Sequence, residues 1–295
     1  MEQTPAQERN TRNVIRPARE LTTSERNLET PGKPSREYSV TDIIGRSVNL
    51  YSRHFVNLYL PFLATAIVNG LFGLLIYAVI PAPSIWFPFT YTYTFTPEDL
   101  PRFLAYLWTF VGVAVLTGIV SWVLANLATG VATRYASDVI EKGRADLSES
   151  FSYAATRLLS LLIAGIITGI LIVIGLILLV VPGVIIFLMF AVVVPSIIIE
   201  RQGIFESLGR SRKLMGRRWL KALALFILLL IIGAIVSLVA SSISVFFGPI
   251  QPLVSAIITA VFNPLYAVAV VHLYYAMLAK EGEAKPPEGA LGPPI

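Results

Sequence analysis

Four stretches of the chain, residues 54–97, 103–133, 158–199 and 222–279, contain no Asp, Glu, Lys or Arg. A helix of about 20 apolar residues crosses a bilayer, so the first two runs each hold one span and the last two are long enough to cross twice. The pattern predicts an all-α, polytopic integral membrane protein with six transmembrane helices, at 55–80, 103–132, 158–180, 183–199, 219–246 and 253–278. Within the long runs the turns are expected where Pro and Gly cluster, at Val181-Pro182-Gly183 and at Gly248-Pro249-Ile250-Gln251-Pro252. Residues 37–280 thus form the membrane domain, with polar, disordered tails expected over 1–36 and 281–295.

Between the runs the pattern changes to that of amphipathic helices. Over 203–218, at 100° per residue, Ile204, Leu208, Met215 and Trp219 share one face with Phe205 close by, while Glu206, Arg210, Lys213 and Arg217 lie opposite. Such a helix is expected to lie flat on a membrane surface, with Arg212 snorkelling from beside the apolar face. The same segment occurs twice: I-G-R-S-V-N-L-Y-S-R-H-F at 44–55 and L-G-R-S-R-K-L-M-G-R-R-W at 208–219. Gly45/Gly209, Arg46/Arg210, Ser47/Ser211, Leu50/Leu214 and Arg53/Arg217 are identical. A weaker copy, without G-R-S, starts at Leu147, so three parallel units of one interfacial helix and two spans, starting near 42, 147 and 204, account for the six spans.

Composition agrees with the pattern: 55% of residues are hydrophobic, 14% are charged, and the mean hydropathy is +0.72. Of the Lys and Arg residues, 9 fall in 1–54, 4 in 133–157, 7 in 200–221 and 2 after 279, against Arg102 alone in 81–102. The positive-inside rule then predicts a cell-membrane protein with both termini cytoplasmic and 81–102 as the one sizeable outer loop. In that loop T-Y-T-Y-T-F-T (Thr90–Thr96) alternates aromatic residues and threonine, which favours anchoring in the headgroup layer over ligand stacking.

Candidate chemistry is sparse. The chain has no cysteine, so it forms no disulfide and no Cys-ligated centre. His54 and His272 are its only histidines, and no metal-binding spacing, Walker A motif or Rossmann glycine fingerprint occurs, so no metal, no cofactor and no catalytic residue is expected. Nothing points to nucleic acid. The spans carry no charge, which weighs against ion pathways and proton relays. Asn69, Asn126, Asn263 and His272 are the candidate polar groups of an internal cavity, and Asn263-Pro264 is the candidate helix break, with Asn263 positioned to satisfy a freed carbonyl. Arg46, Arg53, Arg210, Arg212, Lys213, Arg217 and Arg218 are the candidate contacts to anionic headgroups or to a protein partner. Small residues at four-residue spacing, Gly165/Gly169, Ala114/Gly118, Gly233/Ser237/Ser241 and Ala256/Ala260, suit close helix packing, within the chain or in a homo-oligomer.

At Ile199-Glu200, Gly203, Glu206-Ser207-Leu208, Arg210-Ser211, Leu214, Gly216 and Trp219, preceded by Val181-Pro182-Gly183, the chain resembles a broad group of multi-pass prokaryotic membrane proteins. The group includes the membrane domain attached to some glycerophosphoryl diester phosphodiesterases. The resemblance implies an all-helical membrane module. Catalysis in those phosphodiesterases belongs to a separate soluble barrel with no counterpart in this sequence, so that activity is not carried over. The expected role is that of a non-enzymatic, lipid-contacting structural or accessory subunit of a membrane assembly; the alternative is a channel or transporter for a neutral or lipidic solute.

Overall fold

The computed structural model describes residues 39–79, 97–216 and 219–284. Every regular element among them is a helix, in keeping with charge-free runs whose backbone must satisfy itself in hydrocarbon. The tail 1–36, the Thr90–Thr96 segment, Arg217, Arg218 and residues 285–295 lie outside the described residues. In chain order the helices are α1 (Val40–Arg53), α2 (Phe55–Val79), α3 (Leu100–Lys142), α4 (Leu147–Leu178), α5 (Val180–Met189), α6 (Val193–Ile199), α7 (Ile204–Met215), α8 (Trp219–Ser244), α9 (Gln251–Thr259) and α10 (Phe262–Ala284). A 3₁₀ turn, Pro97–Asp99, leads into α3, and another, Val245–Ile250, joins α8 to α9.

Five stretches of the described residues are long and apolar enough to cross a membrane: Phe55–Ile76, Leu100–Lys142, Leu147–Leu178, Val180–Ile199 and Trp219–Ala279. The fifth covers two of the six expected spans. It runs for 61 residues, about 90 Å if it were one straight helix. It reverses instead at Gly248, where φ is 54° and a side chain would be strained, and α9 folds back against α8. The site of reversal agrees with the Gly-Pro turn read from the sequence.

The other expected turn is displaced. Between α4 and α5 the chain reverses at Leu179, which is extended (φ −167°, ψ 151°), and Val181-Pro182-Gly183 forms the first turn of α5. There Pro182 costs nothing, because the first N–H groups of a helix have no intrahelical partner. Gly183 matters for a different reason: a Cβ on Gly175 would lie 2.9 Å from the Gly183 Cα, so the two arms touch backbone to backbone. Of the GxxxG pair, Gly165 packs closely, with Trp122 3.2 Å from its would-be Cβ, whereas Gly169 faces open space.

Taken in chain order as three successive sets, α1–α3, α4–α6 and α7–α10, the helices pack across the sets as extensively as within them, α3 on α4 and α2 on α9 above all. The first helix of each set lies against the second arm of the set before it: the start of α4 against α3, α7 against α5 and α6, and α1 against α10, which closes the circle. The second arms, the C-terminal half of α3, α6 and α10, meet in the middle and are the most buried. The first turns share one chemistry. The Ser39 N–H donates to Asp42 (3.1 Å), the Glu149 N–H to Asp146 (2.9 Å) and the Gly203 N–H to Glu206 (3.1 Å), each satisfying a backbone donor at a helix start.

The basic helix α7 differs from the surface helix read from the sequence. Its buried face, Ser207, Leu208, Ser211, Leu214 and Met215, packs on protein, while Phe205 points outward at 78% exposure. In α1 the matching positions Ile43, Ser47, Leu50 and Tyr51 are buried. At the spacing i, i+4, i+7, i+8 both helices present one stripe to the core. At the other end of the chain α10 continues to Ala284, so the start of the expected tail is helical.

Candidate functional site

Two spans are interrupted, and the interruptions fall just before proline. Pro195 follows the break at Phe190–Val192, and Pro264 follows the break at Ala260–Val261. A proline lacks the N–H that would bond four residues back and its ring crowds that carbonyl, so oxygens are left to be satisfied by other groups. At the second break the Tyr51 hydroxyl donates to the Val261 carbonyl (3.0 Å) and the Tyr59 hydroxyl to the Ile257 carbonyl (2.9 Å). At the first, the Ser211 hydroxyl donates to the Met189 carbonyl (2.7 Å). The break near Asn263-Pro264 is where the sequence reading puts it, but the tyrosines of α1 and α2 serve it, and the Asn263 side chain is exposed. Burial, reinforced by Tyr59, pushes the Tyr51 phenol above its ordinary range, keeping it a donor.

The charged ends of the three second arms converge on two consecutive tyrosines of α10. Tyr274 and Tyr275 are about 100° apart around the helix and reach different neighbours. The Tyr274 hydroxyl donates to Glu200, just past α6, and the Tyr275 hydroxyl donates to Glu141 near the end of α3 (2.8 Å). Glu200 also accepts from Gln202 (2.6 Å) and from Arg210 Nε (3.1 Å). Arg210 extends a second nitrogen to Glu281 (2.7 Å), which Lys213 also reaches (3.2 Å). Burial by itself would lower the Arg210 pKa, but hydrogen bonds and attraction from Glu281 and Glu200 outweigh it and raise it. For Glu281 burial acts to raise the pKa, and Arg210 with Lys213 overcomes it and holds the carboxyl below its ordinary value. Beside this cluster Asp138 bridges Arg134 (3.0 Å) and Lys142 (2.7 Å), and the ring of Tyr153 carries the Arg134 guanidinium at 4.8 Å and that of Arg201 at 5.7 Å.

The residues singled out from the sequence are therefore dispersed. Asn69 accepts from Ser121 in α3, and Asn126 donates to the Trp122 carbonyl of its own helix (2.8 Å). His272 is buried against α1, with Nδ1 3.0 Å from the Val268 carbonyl and 3.2 Å from the Ser47 hydroxyl. Those two asparagines, the exposed Asn263 and His272 each have separate surroundings. Arg210 and Lys213 are engaged with carboxylates, Arg212 is exposed, and Arg46 and Arg53 both take part in interactions within the chain. Among the described residues no group of three or more His, Asp or Glu could hold a metal ion.

The sequence reading missed Tyr51, Tyr59, Tyr274, Tyr275 and the three glutamates. A signal for two of the glutamates was present: one charge-free run is followed directly by E-R (200–201) and the last by K-E (280–281), whereas Glu141 lies eight residues past the end of its run. Comparison with family models, with curated proteins and with solved structures finds no match.

Proposed function

We propose that the chain is a non-enzymatic multi-pass membrane protein acting as a lipid-contacting structural or accessory subunit. One observation carries this reading: several polar side chains of the helices are engaged with other helices of the same chain, while the outward faces are apolar. Ser47 serves His272, Ser121 serves Asn69, Tyr51 and Tyr59 serve freed carbonyls, and Ser211 serves Met189. Trp108, Leu159, Leu230 and Leu238 stand exposed along the apolar stretches, as side chains facing acyl chains would. In this reading the chain crosses the cell membrane six times with both termini cytoplasmic. The three sets are copies of one unit, an amphipathic helix followed by a hairpin of spans, arranged in a ring. The resemblance to phosphodiesterase membrane domains belongs to the same proposal.

Purification from native membrane in mild detergent tests the reading. A stoichiometric protein partner, or tightly held lipid, is the expected result; a bare chain with neither overturns it.

The two interrupted spans favour a second reading, a channel or transporter for a neutral or lipidic solute, because broken helices often line such sites in transporters. Flux in proteoliposomes that Asn263→Leu or Tyr51→Phe abolishes would support it, and the absence of flux for a range of neutral solutes and lipids would exclude it.

A further inference from the structure

We propose that the base of the α4–α5 hairpin binds the phosphate group of an anionic phospholipid, held between Arg157 and Arg201 over the ring of Tyr153. The inference rests on the lipid-contacting reading and names the lipid chemistry and the place. Arg157 is the last charged residue before the apolar run 158–199, and Glu200-Arg201 are the first after it. The two arginines thus flank one hairpin at the boundary between hydrocarbon and headgroups, where lipid phosphates lie. Tyr153 stands one helical turn before Arg157 on α4, on the same face, and the Arg201 guanidinium lies 5.7 Å from its ring.

The nearby cations differ in what neutralises them. Arg134 has Asp138 at 3.0 Å and Glu149 at 4.0 Å, and Lys142 has Asp138 at 2.7 Å. Arg210 and Lys213 have Glu200 and Glu281. Among the described residues no carboxylate lies within ion-pair distance of Arg157 or Arg201. Arg201 is also the one described non-glycine residue with a left-handed backbone, φ 57°. That conformation costs an ordinary residue on the order of 1 kcal/mol, and here it brings the guanidinium back over the tyrosine ring. The Tyr153 hydroxyl is itself shut away from the surface, so the ring and not the hydroxyl is what this residue offers to the site. A phosphodiester supplies what is missing, a negative charge for two uncompensated guanidiniums. On α4, Leu159 and Ile163 are exposed just beyond Arg157, a surface on which the acyl chains of that lipid can lie.

The test uses the full chain in detergent micelles, titrated with phosphatidylglycerol, with phosphatidylcholine, or with inorganic phosphate, and reads bound lipid by native mass spectrometry and the unfolding temperature. Phosphatidylglycerol is expected to bind more tightly than phosphatidylcholine. Each arginine removed in Arg157→Gln and Arg201→Gln should weaken its binding roughly fivefold, about 1 kcal/mol apiece. Arg102→Gln, which removes an exposed charge of the same sign at the start of α3, should leave binding unchanged. The double variant Arg157→Lys/Arg201→Lys should retain most of the preference, which separates loss of charge from loss of fold. Unaltered phosphatidylglycerol binding in Arg157→Gln and Arg201→Gln, or equal loss in Arg102→Gln, overturns the site. Equal stabilisation by inorganic phosphate overturns the lipid assignment in favour of a soluble anion. If the wild-type chain binds both lipids equally, the site falls and the lipid-contacting reading stands; if neither lipid binds, the broader reading falls as well.

Discussion

The Ser47 hydroxyl lies 3.2 Å from Nδ1 of His272, joining the first described helix to the last across 225 positions of sequence. Ser47 donates its own proton to the Ile43 carbonyl at 2.6 Å, and His272 Nδ1 is also 3.0 Å from the Val268 carbonyl. The consistent arrangement has Nδ1–H shared between the Val268 oxygen and the Ser47 oxygen. Both side chains are buried, so removing the hydroxyl withdraws an acceptor with no water to replace it. Ser47→Ala should cost about 1 kcal/mol and Ser47→Leu more, as overpacking is added. Thermal unfolding in detergent checks this, and an unchanged midpoint for both variants would show that the junction is not needed.

Arg210 and Arg212 are near neighbours on α7 with opposite fates. Arg210→Gln strips Glu200 and Glu281 of a shared partner in a partly shielded cluster and should destabilise by about 1–3 kcal/mol. Arg212 is exposed, and Arg212→Gln should stay within about 0.5 kcal/mol of the parent. Denaturation midpoints of the two variants, compared side by side, decide the matter.

The acid response should have two parts. Burial, followed by the charge of Arg53, lowers the His54 pKa below 6.5, so the unfolded chain takes up a proton there more readily than the folded one. The stability this group contributes is whole above pH 6.5 and is lost as the pH falls from there through the folded value. Glu281, held below 4.5 by Arg210 and Lys213, contributes stability that is present above 4.5 and lost as the pH falls through its folded value. Unfolding temperature measured against pH should therefore decline in two windows. His54→Gln should flatten the upper one and Glu281→Gln the lower; persistence of either decline in its variant contradicts the assignment.

Two glycines of one hairpin separate close packing from mere spacing. A Cβ on Gly183 would lie 2.5 Å from Leu176 Cδ2 and 2.8 Å from the Leu176 backbone nitrogen, so Gly183→Ala must push the arms of the hairpin apart and should cost about 1–3 kcal/mol. Gly169 has nothing within 4 Å, and Gly169→Ala should gain roughly 0.5–1 kcal/mol from helix propensity. Their unfolding temperatures should move in opposite directions, and movement in the same direction would show that the contact at Gly183 is absent in solution.

The charge-free runs, read by themselves, determined that the described chain is helical and placed the helices, because hydrocarbon imposes both a length and an internally bonded backbone on anything that crosses it. They also located the Gly248 reversal and the break before Pro264, since glycine and proline act on the backbone locally, whatever surrounds them. In the repeated G-R-S the arginines drew the expectation and the serines none, yet Ser47 and Ser211 are both fully buried, one against a histidine and the other against a freed carbonyl. Only tertiary structure decided such pairings. Whether Arg210 faces lipid or two glutamates, or whether Asn263 or Tyr51 serves the broken helix, depends on which segments distant in sequence are brought within about 3 Å. Helical periodicity carries no information about that distance. It gives the face of a helix but not its neighbour, and here the neighbours of the amphipathic faces are the second arms of other hairpins.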